Sequence, residues 1–291
     1  MNIKSRTNNA DDLAWVHLIE RRKQVELWQF SCLRQSYSLE LSPNIMEGVN
    51  PEGQLVMVQW SPSNDLQRVK ITLNIHEVTD KAAVHHHFKL VPAGCESIII
   101  DIWGILGLIH DEALRRFYLA VLLNNELMGQ FFNARASRSH HHNHACGLLE
   151  HSHEVAVTAA MLCWRYNVGP LSVCVAFIGG LLHDIGKIHL FYNADTRDGI
   201  AGSHESYNFM VLAEPLALLY RNSPKIFEAL SSCLSVKIGR RSEAYIPASM
   251  VRLCDNLSME VCHWRTAFAD VPPHHWYAHS AMNDQWYKRL G

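Results

Sequence analysis

GLLHDIGK, residues Gly180–Lys187, ends an apolar run and sets His183 beside Asp184, with Gly186 and Lys187 directly behind. An adjacent His-Asp pair cannot complete a metal site by itself, so partners must come from elsewhere in the chain. Upstream, GLLEHSHEVA (Gly147–Ala156) offers His151, and far downstream RLCDNLS (Arg252–Ser258) offers Asp255. Taken singly, each residue has an ordinary explanation. A lone helical histidine is usually a surface or hydrogen-bonded core residue, and Asp255 alone would cap a helix or pair with Arg252. Together they interrupt otherwise apolar helical faces, where a buried charge costs too much unless it is paired or bound to a metal. Two imidazoles and two carboxylates suit a transition ion such as Mn²⁺ or Fe²⁺, and a catalytic site keeps further positions open.

The rest of the chain supplies a helical setting for that constellation. From Asp111 onward helical patterns dominate, beginning with DEALRRFYLAVLLNNELMGQFF, which opens on an N-cap aspartate with Glu112 in its first turn. The next helix holds His151, and the one after it ends at HDIG, with Gly186 as its C-terminal cap. Pro215 interrupts SHESYNFMVLAE; Ser223 and Pro224 start another helix, and Pro247 precedes the one that carries Asp255. The final VPPHHWYAHSAMNDQWYKRLG is aromatic and histidine-rich without periodicity and reads as a tail packed on the domain.

The N-terminal part is different. Asp11 to Cys32 reads as a first helix, with Leu13, Val16, Ile19, Leu27 and Phe30 on a buried stripe and ERRKQ solvated. RVKITLNI (Arg68–Ile75) alternates strictly and pairs with QLVMVQW as a hairpin. Five short strands fit the region, and an OB-like barrel is compatible with it. The expected fold class is mainly α: an all-helical bundle over residues 106–291, preceded by a small β-containing part over residues 1–105.

Composition bounds the function classes. With 26 Lys and Arg against 28 Asp and Glu, a strongly basic nucleic-acid binder is excluded, although a local basic surface is not. Nineteen histidines raise the prior for transition-metal binding. The eight cysteines show no CxxC spacing, and Cys163, Cys174 and Cys254 fall in apolar helical patterns, which suits core thiols and a reducing compartment. MNIKSRTNNADD has no apolar core, and the apolar runs Ile98–Ile109 and Val173–Leu182 are too short or too interrupted to cross a bilayer. The expectation is a soluble cytoplasmic protein with no membrane partner; protein partners stay open.

The order H…HD…D, with GLLHDIGK and RLCDNLS, resembles the HD superfamily of metal-dependent phosphohydrolases over about residues 110 to 265. Cys254 stands where the family's last motif usually has Ala. The resemblance implies an all-helical fold and His151, His183, Asp184 and Asp255 as ligands of one divalent ion, Mn²⁺ or Fe²⁺ or else Mg²⁺, with Lys187 near the substrate phosphate. The ion would acidify a bound water for attack on phosphorus, and Asp184 would bridge if a second ion is present. A narrower resemblance comes from ASRSHHHNHACGLLEHSHEVA (Ala136–Ala156), which is similar to the HD domain of MobH-type (TraI-like) conjugative relaxases. YhaM-type exoribonucleases have a comparable histidine-rich lead-in and an OB fold ahead of it. Both imply phosphodiester chemistry on nucleic acid, but this chain is far shorter than a relaxase.

Accessory residues follow in the same light. His141 and His142 are candidates for phosphate contact or a second metal, ahead of His140 and His144. His204 sits where two-metal members of the superfamily carry a further ligand, although their later histidine pair is absent. Lys237, Arg240 and Arg241 form the one compact basic cluster, suited to a phosphate backbone or to a solvated turn. Glu150 and Glu154 flank His151 as partners for its ring or as helix salt bridges, and His85–His87 read as surface. Three readings therefore stand: a phosphodiesterase on single-stranded nucleic acid or its fragments, a phosphohydrolase of free (deoxy)nucleotides, or a non-catalytic binding module or relaxase fragment.

Overall fold

The computed structural model describes residues 11–32, 36–49, 51, 54–59, 70–72, 81–92, 94–136, 144–191, 204–235 and 244–290. The chain divides into two compact units, Met1–Gly107 and Leu108–Gly291. It is mainly helical, with a small antiparallel sheet in the first unit.

The first unit contains β1 (Asp11–Arg21), β2 (Glu26–Cys32), β3 (Ser36–Leu41), β4 (Gln54–Gln59) and β5 (Lys70–Thr72), in the order β3-β2-β1-β4-β5. The helix expected over Asp11–Cys32 is instead the β1–β2 hairpin. Its period is two: Ala14 and Val16 on one strand and Trp28 and Phe30 on the other are buried, whereas Ile19 is exposed. Leu18 pairs with Trp28 and Glu20 with Leu27, leaving Ile19 as the extra residue of a bulge. The turn runs from Arg22 to Val25, beyond the end of β1 and overlapping the polar ERRKQ segment, and is closed by the Arg22 amide on the Val25 carbonyl at 2.9 Å. Glu26 is buried because both its oxygens are used, one by Arg21 at 2.7 Å and the other by Trp28 Nε1 at 3.0 Å. The hairpin of QLVMVQW with RVKITLNI is present as β4 on β5, where Val58 faces Ile71; Arg68, Val69 and Leu73–Ile75 lie outside the described residues. No pairing of β3 with β5 occurs among the described residues, so closure into a barrel is not part of this sheet as described.

Helices α1 (Lys81–Leu90) and α2 (Glu96–Gly104) complete the unit. Here a surface expectation is corrected. His87 is fully buried and accepts a hydrogen bond from Trp103 Nε1 at its Nδ1, 3.1 Å away. It faces inward with Ala83, Val84 and Phe88 on α1, while His86 is exposed.

The second unit begins with α3 (Glu112–Leu122) and α4 (Asn125–Asn133). One long helix is expected there, but Asn124 breaks it by capping α4, its side chain accepting from the Leu127 amide at 3.1 Å. Asp111 caps α3 in the expected way, accepting from the Leu114 amide at 2.9 Å. The core is formed by α5 (Gly147–Arg165), α6 (Pro170–Leu182) and, downstream, α10 (Pro224–Leu234) and α11 (Ile246–Phe268). Between them lie the short α7 (Lys187–Phe191), then α8 (His204–Val211) and α9 (Ala213–Asn222). Pro215 sits in the first turn of α9, where its missing N–H has no cost, and the break with α8 falls at Leu212.

Nearly every residue of α6 from Cys174 onward is buried, as befits the central helix of the unit. The helical stretch Pro170–His189 has the length and hydropathy of a membrane span, longer than the run Val173–Leu182 suggests, but 78% of its apolar window is buried inside the unit. Close packing depends on two glycines. A Cβ on Gly180 would lie 2.7 Å from the Cα of Ala156 on α5, and one on Gly179 would lie 2.5 Å from the Cβ of Cys233 on α10. Helix α6 can therefore touch the backbone of the helix that carries His151. Cys163, Cys174 and Cys254 are buried free thiols, as their apolar setting predicts.

The chain ends in β6 (Tyr277–Ser280) and β7 (Gln285–Lys288), a hairpin folded on α11 where sequence gives only an aperiodic tail. Trp264 Nε1 donates to the Lys288 carbonyl at 3.1 Å, and Tyr287 donates to Glu260 at 2.8 Å.

Gly180→Ala should test the close approach. Backbone atoms cannot move aside as a flexible side chain can, so the substitution should cost about 1–3 kcal/mol. Thermal melts should show a lower midpoint; wild-type stability would refute the packing argument.

Candidate metal centre

Three helices and one turn bring the polar residues together. His151 lies on the inner face of α5, and Asp255 is half-buried near the middle of α11. His183 and Asp184 open the turn between α6 and α7. That turn differs from the expected cap: α6 ends at Leu182, His183 to Gly186 form the turn, and Gly186 is not in the left-handed conformation of a terminal glycine. The turn is held from outside. Asn208, fully buried on α8, accepts the Gly186 amide on its Oδ1 at 2.7 Å. Its Nδ2 donates to the carbonyls of His183 and, at 2.9 Å, of Leu234. A stacked contact between His189 on α7 and Tyr207 on α8, 5.6 Å between centroids, supports the same junction.

The ligand atoms converge. A ring nitrogen of His151, a ring nitrogen of His183 and a carboxylate oxygen of Asp255 lie within 4.8 Å of one another. Asp255 Oδ1 is 3.2 Å from His151 Nε2 and 3.6 Å from His183 Nε2. Asp184 Oδ2 is 3.5 Å and 3.4 Å from the same two nitrogens. Lys187 reaches that oxygen too, with Nζ at 2.5 Å. The four residues named from sequence and the lysine thus meet at one point.

The donor set can be tested for its fit to a cation. His183 Nδ1 is 2.7 Å from the Gly180 carbonyl, which can only accept, so Nδ1 carries the proton and Nε2 is the free nitrogen of the neutral ring. That Nε2 is buried, has no hydrogen-bond partner, and points toward two carboxylates. A lone pair facing carboxylate oxygens repels them unless a proton or a metal cation lies between. Imidazole and carboxylate together match a divalent transition ion, so the residues fit such an ion. Protons take that role otherwise. Burial works to lower the pKa of His151, but its contacts with Asp184 and Asp255 outweigh burial and raise it from 6.5 to about 9. Burial likewise opposes ionisation of Asp184, yet the charges of His183 and Lys187 and the bond to His151 hold its carboxyl well below the usual range. Asp255 is lowered against burial by the nearby rings of His151 and His183.

Other candidates separate. His144 is exposed and pairs with Glu150 at 2.8 Å, a surface contact that turns Glu150 away from the role of partner to the His151 ring. Glu154 does reach that ring, indirectly. It accepts from Ser258 Oγ at 2.8 Å, and Ser258 Oγ is 3.3 Å from His151 Nδ1. Ser258 and Asn208 were not singled out from sequence. Ser258 follows Asp255 by three residues and so shares its face of α11, which is the signal that marks it. Asn208 has no comparable mark. His140, His141 and His142, and Lys237, Arg240 and Arg241, lie outside the described residues, as does the side chain of His204, whose backbone begins α8.

Comparison with family models matches the HD domain to residues 148–260, a span that contains His151, His183, Asp184, Lys187, Asp255 and Ser258. The match supports the HD-domain superfamily for this segment and does not select between relaxase-type and exoribonuclease-type members. No curated protein and no solved structure matches the chain. An HD domain implies metal-dependent phosphohydrolase activity.

Two outcomes are expected. His151 has a folded pKa of about 9, above its ordinary 6.5, so its stabilising contribution is complete below pH 6.5 and is lost as pH rises through about 9. The melting midpoint of chelator-treated protein should therefore fall over that interval. Saturating Mn²⁺ should remove the fall, because the ion takes the nitrogen that the proton held. Asn208→Ala, which strands one amide and two carbonyls, should cost about 2–4 kcal/mol in denaturant titrations.

Proposed function

We propose that the HD domain over residues 148–260 is a metal-dependent phosphodiesterase acting on single-stranded nucleic acid or its short fragments. The observation that carries the chemistry is the buried convergence of His151 and His183 Nε2 with Asp255 Oδ1 and Asp184 Oδ2, beside Lys187. His151, His183, Asp184 and Asp255 would hold the ion. When bound, such an ion polarises a phosphoryl oxygen and acidifies water.

The chain's own residues supply the rest. Gly180 and Asn208 fix the turn that presents His183 and Asp184, so these ligands need little rearrangement on loading. The Lys187 ammonium has three donors, and one bond to Asp184 leaves two for phosphoryl oxygens, whose negative charge it would neutralise. The preference for nucleic acid rests on sequence: the run His140–His142 with His144 leading into α5, and the basic cluster Lys237, Arg240 and Arg241. The near-neutral net charge of −2 favours the second reading, a phosphohydrolase of free (deoxy)nucleotides.

Incubation with Mn²⁺ should separate the two. Cleavage of a single-stranded oligonucleotide, abolished by His183→Ala or Asp184→Ala with a loss of at least a hundredfold, is the expected result. An intact oligonucleotide alongside dephosphorylated mononucleotides would move the assignment to the second reading. Activity that survives in His183→Ala and Asp184→Ala would remove both.

A further inference from the structure

The two histidines of the centre are oriented by different means. His183 Nδ1 donates to a main-chain carbonyl of the helix that precedes it, Gly180, at 2.7 Å. His151 Nδ1 meets Ser258 Oγ at 3.3 Å, and Ser258 belongs to a different helix, α11. Ser258 in turn meets Glu154 Oε2 at 2.8 Å, back on α5 and one turn beyond His151. Hydrogen positions along this chain follow from elementary chemistry. A carboxylate only accepts, so the single hydroxyl proton of Ser258 goes to Glu154. Its oxygen is then free only to accept, and the donor must be His151 Nδ1–H. The neutral ring is thereby left with its lone pair on Nε2, the atom 3.2 Å from Asp255 and 3.5 Å from Asp184. The contact is sheltered, with Ser258 7% exposed and His151 8% exposed.

We propose that Ser258 and Glu154 are positioning residues for the metal centre: through the Glu154–Ser258–His151 chain they fix the orientation and tautomer of His151 and raise its strength as a ligand. The assignment rests on the metal-centre reading above. Its physical basis is that a carboxylate at the far end polarises the hydroxyl, and the hydroxyl oxygen draws on Nδ1–H and enriches Nε2 in electron density. Because Asp255 and Ser258 sit three residues apart on α11, one helix supplies both a ligand and the support for another helix's ligand. A small displacement of α11 would therefore weaken two of the four ligands together. A role confined to joining α5 to α11 would instead be indifferent to the charge on Glu154 and to the metal.

The test is Mn²⁺ binding by calorimetry to wild type, Ser258→Ala, Ser258→Thr, Glu154→Gln and the control His183→Ala. Ser258→Ala should weaken binding about 10–100-fold, and Ser258→Thr, which keeps the hydroxyl, should stay close to wild type. Glu154→Gln should fall between, since its amide oxygen still accepts the hydroxyl proton but carries no charge. In the Zn²⁺-loaded protein, proton NMR should show a solvent-protected Nδ1–H on His151 that disappears in Ser258→Ala. Wild-type affinity in Ser258→Ala, or Ser258→Thr binding as poorly as Ser258→Ala, would overturn the proposal. Should Ser258→Ala not fold, Glu154→Gln decides, and unchanged Mn²⁺ affinity there overturns it. If wild type and His183→Ala bind Mn²⁺ equally poorly, the metal-centre reading itself falls; if wild type binds and Ser258→Ala binds alike, only this inference falls.

Discussion

A buried carboxylate and a half-buried one within reach of the same two nitrogens are an electrostatic debt that the rest of the unit has to meet. Asp184 is 3% exposed and faces His151, His183 and Lys187, while Asp255 faces both histidines from the opposite helix. Removing a carboxylate from water costs several kcal/mol, recovered only if the geometry around it is good. Here the neutralising groups are a lysine at the start of α7 and two imidazoles, of which His151 is held charged by its contacts with the two carboxylates. The centre is therefore stable only in company, either of protons or of a cation, and this constraint explains why so much of the surrounding structure serves to hold a few atoms still.

The holding is done by contacts with no chemistry of their own. Gly180 lets α6 lie against the backbone of α5 at Ala156, five residues beyond His151, and its carbonyl orients His183. A single small residue thus sets both the distance between the two histidine-bearing segments and the aim of one ring. Asn208 performs the corresponding task for the turn, since a four-residue connection between α6 and α7 leaves polar backbone groups that the helices do not satisfy. Packing and hydrogen bonding place the ligands, and the electrostatics then decide what the ligands do.

How far the sequence carries the structure depends on the range of the interaction involved. His151, His183, Asp184 and Asp255 were legible because a polar residue interrupting an apolar helical pattern is a local anomaly, and four such anomalies in H…HD…D order are hard to place otherwise. Asp111 and Pro224 were legible as helix starts for the same local reason. Asp11–Cys32 misled because Leu13, Val16 and Ile19 satisfy a helical period, whereas Ala14, Val16 and Leu18 satisfy a strand period over the same residues. Only pairing with β2 and β4, which depends on residues up to 48 positions away, decides between them. His87 was misjudged because a run of three histidines looks polar, although the helical period turns His87 inward to Trp103. Asn208 was invisible because its partners lie 22 to 26 residues away, on the backbone, where residue identity leaves no trace.

The Asn208 clamp has a consequence for how the domain tolerates change. It ties the turn after α6 directly to α8 and to the end of α10, so segments far apart in sequence hold their places through one side chain. Lengthening a connecting segment is cheap once its ends are fixed, about 0.6 kcal/mol for each doubling. Insertions between those segments should therefore cost little so long as Asn208 keeps its three backbone partners.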